Sequence, residues 1–264
     1  MEKPKIPEEL IQRKIPIDVF DASVISQRGE IVDVTSLIPA REGEDRDLFQ
    51  SQVQRVFDWV AETMNSPEYA KFEIEIGNML AEVKGQHFIF DIEGVVMNDV
   101  QNQVDSSERV YHVVPWMQPL LKKLIENGNQ VGFWTSATAE SLEKMRKAMS
   151  SELAGLPAIS IEDWGKVALA YKAQRLGQMT DEQVIGVMQS IYPTASWKTF
   201  QAGLEIFDED MIDNFDDDPI FFLRGSKYPQ LFIPPENGFF VDDNNMFIES
   251  AKRHGWPKHR AIKS

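Results

Sequence analysis

Phe49, Val53, Val56, Phe57, Val60 and Met64 recur at spacings of three and four, which predicts an amphipathic helix over residues 46–64 with one buried stripe. A second helix is expected from Pro67 to Val83. Gly85 ends that region, and HFIF (87–90) is a short apolar run entering an acidic, glycine-containing turn, the pattern of a central strand in a parallel sheet. Asn98 to Arg109 reads as a polar loop. PWMQPLLKKLIENGN (115–129) places proline at a helix start and Gly128 at its end. VGFWT (131–135) is a second apolar strand that stops at hydroxyl residues, and TAESLEKMRKAM (138–149) restarts a helix.

Strand, helix, strand, helix is the order of a doubly wound parallel sheet. Residues 150–205 are mostly helical in pattern and suit a helical insertion or a cap over the site. IFFL (220–223) and GFFVDD (238–243) are further strand candidates, and MFIESAKRHG follows as a helix ended by Gly255. Upstream, residues 1–16 form an arm rich in proline and charge, and β-branched stretches around Gln27-Arg28-Gly29 suggest a hairpin. The division expected is an N-terminal region, 1–84, of arm, hairpin and helices, then an α/β core, 85–264, with a helical insertion near 150–205.

Charge narrows the partners. Asp and Glu number 42 against 27 Lys and Arg, a net charge of −15 that disfavours nucleic acid and anionic membranes. The basic cluster Lys252, Arg253, His254, Lys258, His259, Arg260 and Lys263 reads as a solvated tail. Without cysteine there are no disulfides, thiolate metal sites or cysteine nucleophiles. No apolar signal core and no membrane-length run is present, so the chain reads as cytoplasmic.

In an open parallel sheet, ligands bind where the carboxyl ends of the strands meet their loops, so reactive residues just past separate strands converge. HFIF runs into Asp91, VGFW into Thr135, and GFFV into Asp242 and Asp243, with Lys227 upstream of the last strand. These supply a carboxylate nucleophile, a hydroxyl, a cation and acids for a metal. Phosphoryl transfer needs those parts, because the reacting group carries negative charge that a bare carboxylate repels. Rival acids stand at Asp21 in VFDAS and at Asp208 and Asp210 in IFDED, without the glycine and the hydroxyl strand that follow Asp91. The eight acids of Glu205–Asp218 read as a solvated loop, the tryptophans as core, and His87 and His112 as structural.

The motifs FDIEGVV, FWTSA and FFVDDNN, with Lys227 in RGSKY, resemble the haloacid dehalogenase superfamily of aspartate-nucleophile phosphatases over residues 86–256. That resemblance implies a Rossmann-like fold in which Asp91 attacks phosphorus and becomes an aspartyl phosphate. Glu93 would protonate the leaving oxygen and later activate water. Thr135, Ser136 and Gly94 would bind the phosphoryl group, and Lys227 would steady Asp91; Lys227 equally suits a surface position. Mg2+ would sit among Asp91, the Glu93 carbonyl, Asp242 and Asp243. Glutamate replaces the usual second aspartate, as in enolase-phosphatases of methionine salvage, while FWTSA and VDDNN look more like phosphatases of the small carboxy-terminal-domain type, which act on phosphoproteins. The expected partner is a phosphorylated protein or metabolite; the alternative is a binding protein of this fold that has lost turnover.

Overall fold

Five strands lie side by side in one parallel sheet, and the three central ones are almost wholly apolar because helices cover both faces. The computed structural model describes residues 45–102, 105, 107–207, 209–234, 236, 238–244, 246–247 and 259–261. In chain order its elements are α1 (Asp45–Met64), α2 (Pro67–Met79), β1 (His87–Phe90), β2 (Met97–Gln101), β3 (Arg109–Val113), α3 (Met117–Glu126), β4 (Gln130–Trp134), α4 (Ala139–Ala148), α5 (Ser151–Ala154), β5 (Ala158–Ile159), α6 (Ile161–Arg175), α7 (Asp181–Ile191), α8 (Trp197–Ile206), α9 (Glu209–Asp217), α10 (Pro219–Gly225), a 3-10 turn (Pro229–Leu231), β6 (Gly238–Asp242) and β7 (His259–Ala261). The sheet order is β5-β4-β1-β6-β7, an α/β architecture with β1 in the middle, and β2 pairs with β3 as a separate antiparallel ribbon.

Period-two alternation assigns each strand residue to one face. Phe88 and Phe90, Val131 and Phe133, and Phe239 and Val241 join Phe72, Ile76, Leu120, Leu124 and Met145 of α2, α3 and α4 in one core. Ile89, Trp134 and Phe240 face the opposite layer, with Trp164 and Tyr171 of α6, Met188 of α7, Phe200 of α8 and Phe222 of α10. Each large side chain buried this way contributes roughly 1.5–3 kcal/mol. Trp116, Trp134 and Trp164 are all core residues.

Helix ends follow local chemistry. Ser66 caps α2 ahead of Pro67, and Thr138 caps α4 by accepting the Ser141 N–H. Gly128 takes φ +79° just beyond α3, a left-handed turn that favours glycine. α2 stops at Met79, short of the expected Val83, where Leu80 to Val83 tighten into a turn. On α1 the stripe is narrower than expected. Phe49, Val53, Val56 and Val60 pack on Val100 and Val110 of the ribbon, whereas Phe57 and Met64 are exposed. Phe57 follows Val56 by one residue, which turns it about 100° off the stripe.

Four expectations are corrected. Asn98–Arg109 is not one polar loop, because β2 and β3 pair across it; Asn98 and Asp99 are each only half-buried there, so the strand tolerates them, which hid it. IFFL is helical, lying in α10 behind Pro219, since a short apolar run does not distinguish a strand from a buried helix turn. Glu209–Asp217 is helix α9, anchored by buried Phe215, rather than a loop. Residues 150–205 include edge strand β5, and α6, α7 and α8 form the layer on one sheet face instead of roofing the site. The N-terminal arm and hairpin, Asp21, Asp208, the helix expected beyond Phe247 and the C-terminal basic cluster, β7 backbone apart, lie outside the described residues. Among the described residues no helix is long and apolar enough to cross a membrane.

Two packing details yield tests. A Cβ on Gly132 of β4 would stand 2.0 Å from the Tyr192 hydroxyl, and that hydroxyl lies 2.8 Å from Nε2 of buried His87. Gly132→Ala therefore lowers unfolding stability by about 1–3 kcal/mol through overpacking, read by urea denaturation; a neutral result contradicts the close approach. Burial holds the His87 pKa down to about 4 from its ordinary 6.5. The stabilisation from keeping it neutral is complete above pH 6.5 and is lost as pH falls toward 4, about 3 kcal/mol in all. Urea midpoints at pH 7.5 and 4.5 should differ less in His87→Gln than in the wild type.

Candidate active site

Register brings the strand ends together. Phe90 is paired with Phe133 on one side and Val241 on the other, so Asp91, Thr135 and Asp242 emerge at one edge of the sheet. The Asp91 N–H donates to the Val241 carbonyl at 2.8 Å, carrying the ladder one residue past β1. Asp91 and Asp242 share strand parity with Ile89 and Phe240, which turns both toward the layer that contains the chain after α10. From that layer comes Lys227.

Lys227 is the keystone of the site. It is 1% exposed, and its Nζ lies 2.9 Å from Asp91 Oδ1 and 2.8 Å from Asp242 Oδ2, over the ring of Phe247. Burial alone would pull its pKa down, but Asp91 and Asp242 outweigh that effect and hold it above the ordinary lysine value. The expectation that left Lys227 between a ligand and a surface lysine resolves to the buried position. Asp91 Oδ1 also accepts the Ile92 N–H at 2.8 Å, so among the described residues both hydrogen-bonding partners of Asp91 occupy Oδ1 and leave Oδ2 free. Asp242 spends Oδ2 on Lys227 and Oδ1 on the Asn244 N–H at 2.8 Å.

Asp91, Asp242 and Asp243 bring one carboxylate oxygen each within 4.8 Å of one another. Three carboxylates face a single ammonium, so the cluster holds excess negative charge. Burial raises the pKa of both Asp242 and Asp243, and the charge of Asp91 adds to the rise. All-oxygen donors around uncompensated charge fit a hard divalent cation such as Mg2+. Asp91 and Asp243 are the better placed ligands, because both oxygens of Asp242 are engaged. Gly94 is required here twice: it adopts φ +80°, and a Cβ on it would meet Asp243 Oδ2 at 2.5 Å.

On the other side of Asp91 lies Glu93. Its Oε2 accepts from Thr135 Oγ1 at 3.4 Å, and its Oε1 is 4.0 Å from Arg109, which also pairs with Asp99 at 3.5 Å. Burial, then the charges of Asp91 and Asp99, raise the Glu93 pKa against the opposing pull of Arg109 and Thr135. The Glu93 carboxylate is not part of the three-acid cluster. Thr135 Oγ1 accepts the Ala137 N–H at 2.9 Å, while the neighbouring Ser136 Oγ is buried with no partner among the described residues.

All eight residues singled out from sequence fall in this one region. Arg109, Asp99 and Tyr111 were missed because the ribbon was read as a loop, although the alternation in RVYHV carries a strand signal. Asp210 lies on α9 rather than at a strand end. His112 is half-buried beside Trp59, and buried His87 bonds Tyr192; neither belongs to the cluster of acids. Comparison with family models, curated proteins and solved structures finds no match to this chain.

Removing one member of a buried ion pair leaves its partner uncompensated. Lys227→Met should lower unfolding stability by about 3–5 kcal/mol, and Asp242→Asn in the same protein should recover part of the loss, measured as a double-mutant cycle. Mg2+ should bind the wild type in calorimetry and fail to bind Asp243→Asn or Gly94→Ala.

Proposed function

We propose that this protein is a haloacid dehalogenase-type, Mg2+-dependent phosphatase that hydrolyses a phosphomonoester through an aspartyl phosphate on Asp91. One observation carries the reading: a carboxylate with one free oxygen, clamped by a buried lysine, stands at the strand ends beside two further acids. A structural ion pair would need neither Asp243 nor the orphaned hydroxyl of Ser136 beside Thr135.

Asp91 Oδ2 attacks phosphorus in line with the leaving oxygen; the Oδ2–P bond forms as the ester P–O bond breaks. Glu93, whose raised pKa favours a protonated fraction, gives its proton to the leaving oxygen. It then takes a proton from the water that attacks the aspartyl phosphate, which releases phosphate and restores Asp91. Lys227 fixes the Asp91 rotamer and offsets its charge, and Thr135 and Ser136 offer hydroxyls to the phosphoryl oxygens. Asp243 and the Glu93 carbonyl would hold a divalent ion, with Asp242 beside it and Asp91 sharing it through the oxygen that does not attack, and the ion would supply the positive charge that phosphate and carboxylates together lack.

Release of phosphate from p-nitrophenyl phosphate with Mg2+ tests this. Asp91→Asn should abolish turnover, and Glu93→Gln should lower kcat by roughly 10²–10⁴-fold. Activity retained in Asp91→Asn sinks the nucleophile assignment. Inertness of the wild type across a broad panel, with Mg2+ bound, makes the protein a binding protein instead.

A further inference from the structure

A cleft of about 580 Å³ opens beside Glu93 and Ser136, between the β2–β3 ribbon and the first turns of α4. Three cations line it, Arg109, Lys144 and Arg224, against two acids, Glu93 and Glu140. Acids outnumber bases 42 to 27 over the whole chain, so the cleft reverses the balance of the molecule. Two of the cations are tethered: Arg109 to Asp99 at 3.5 Å and to Glu93, and Lys144 to Glu140 at 3.0 Å. Arg224, exposed at the end of α10, has no ion-pair partner among the described residues. Tyr111 adds a phenol to the wall.

The position of the cleft gives those charges a use. Glu93 lines it and Asp91 does not. An acid that protonates the leaving oxygen marks the side on which the leaving group departs. Resting on the phosphatase reading above, we propose that the cleft binds the leaving group of the substrate, and that this group carries a second anion, a carboxylate or a phosphate, held by Arg224 with Lys144 and Arg109. Guanidinium groups suit this task because their planar forks match both anions with paired hydrogen bonds. In a protein of net charge −15 an anionic substrate needs such a local reversal of sign to approach.

The test is binding to the Asp91→Asn protein with Mg2+, by calorimetry, of glycerol 3-phosphate, 3-phosphoglycerate and glycerol 1,3-bisphosphate. The last two add a carboxylate or a second phosphate to a common skeleton. At least one of them should bind about tenfold or more tightly than glycerol 3-phosphate, and which one does so identifies the anion. Arg224→Met combined with Lys144→Met should shrink that preference to about twofold or less. Equal affinities, no binding of any of the three, or a preference that survives both substitutions overturns the proposal. Because this protein lacks the nucleophile, the readout is separate from turnover. Anion preference with no hydrolysis by the wild type defeats the phosphatase reading alone, and hydrolysis of all three esters without preference defeats the cleft assignment alone.

Discussion

A fully buried ammonium must be paired or give up its proton, and Lys227 is paired twice. That constraint organises the carboxyl edge of the sheet. Asp91 and Asp242 come within reach of one nitrogen only because β1 and β6 run parallel in a register that ends them together. Lys227 reaches them only because α6, α10 and the 3-10 turn pack as a layer on that face, with Trp164 meeting Phe222 and Tyr228. The aromatic layer is apolar enough to strengthen the ion pairs, and the ion pairs are what make burying a lysine there tolerable.

The same interaction divides the labour of the carboxylates. Lys227 and two backbone N–H groups take up Asp91 Oδ1 and both oxygens of Asp242. Among the described residues, what remains without a partner is Asp91 Oδ2 and the carboxylate of Asp243. Those two groups and the excess negative charge are therefore properties of the folded arrangement rather than of acid content. In Glu205–Asp218 the described residues include a helix resting on Phe215, with Asp216 paired to Lys172.

How much of this could be read from the chain follows from which interactions are local. Asp91, Thr135, Asp242 and Asp243 were legible because a strand buried on both faces is a continuous apolar run, and its polar terminator then stands out. Lys227 was only suspected, since nothing in RGSKY says that its side chain points inward; that depends on α10, and IFFL looks the same as a strand. The ribbon was lost for the opposite reason. Met97–Gln101 holds its strand through pairing with Arg109–Val113 and through α1 beneath it, both distant in sequence, while its own residues favour turns. Gly132 reads as an ordinary residue of an apolar strand until Tyr192, sixty positions away, is seen against it.

Glutamate at position 93 looks like a departure when the motif is read alone, because one extra methylene displaces the acid. In the fold it has specific company. Its two oxygens reach different elements, Oε2 toward Thr135 beyond β4 and Oε1 toward Arg109 on β3. A shorter side chain from the same backbone would have to give up one of these neighbours, and Arg109 at 4.0 Å is already at the limit of contact. The ribbon and the longer acid therefore belong together: β3 brings Arg109 to where glutamate, rather than aspartate, can meet it. Asp91 faces a lysine on the inner side and Glu93 faces an arginine on the outer side. Two carboxylates two residues apart thus acquire different environments, one clamped and buried, the other raised in pKa at the mouth of a cationic cleft.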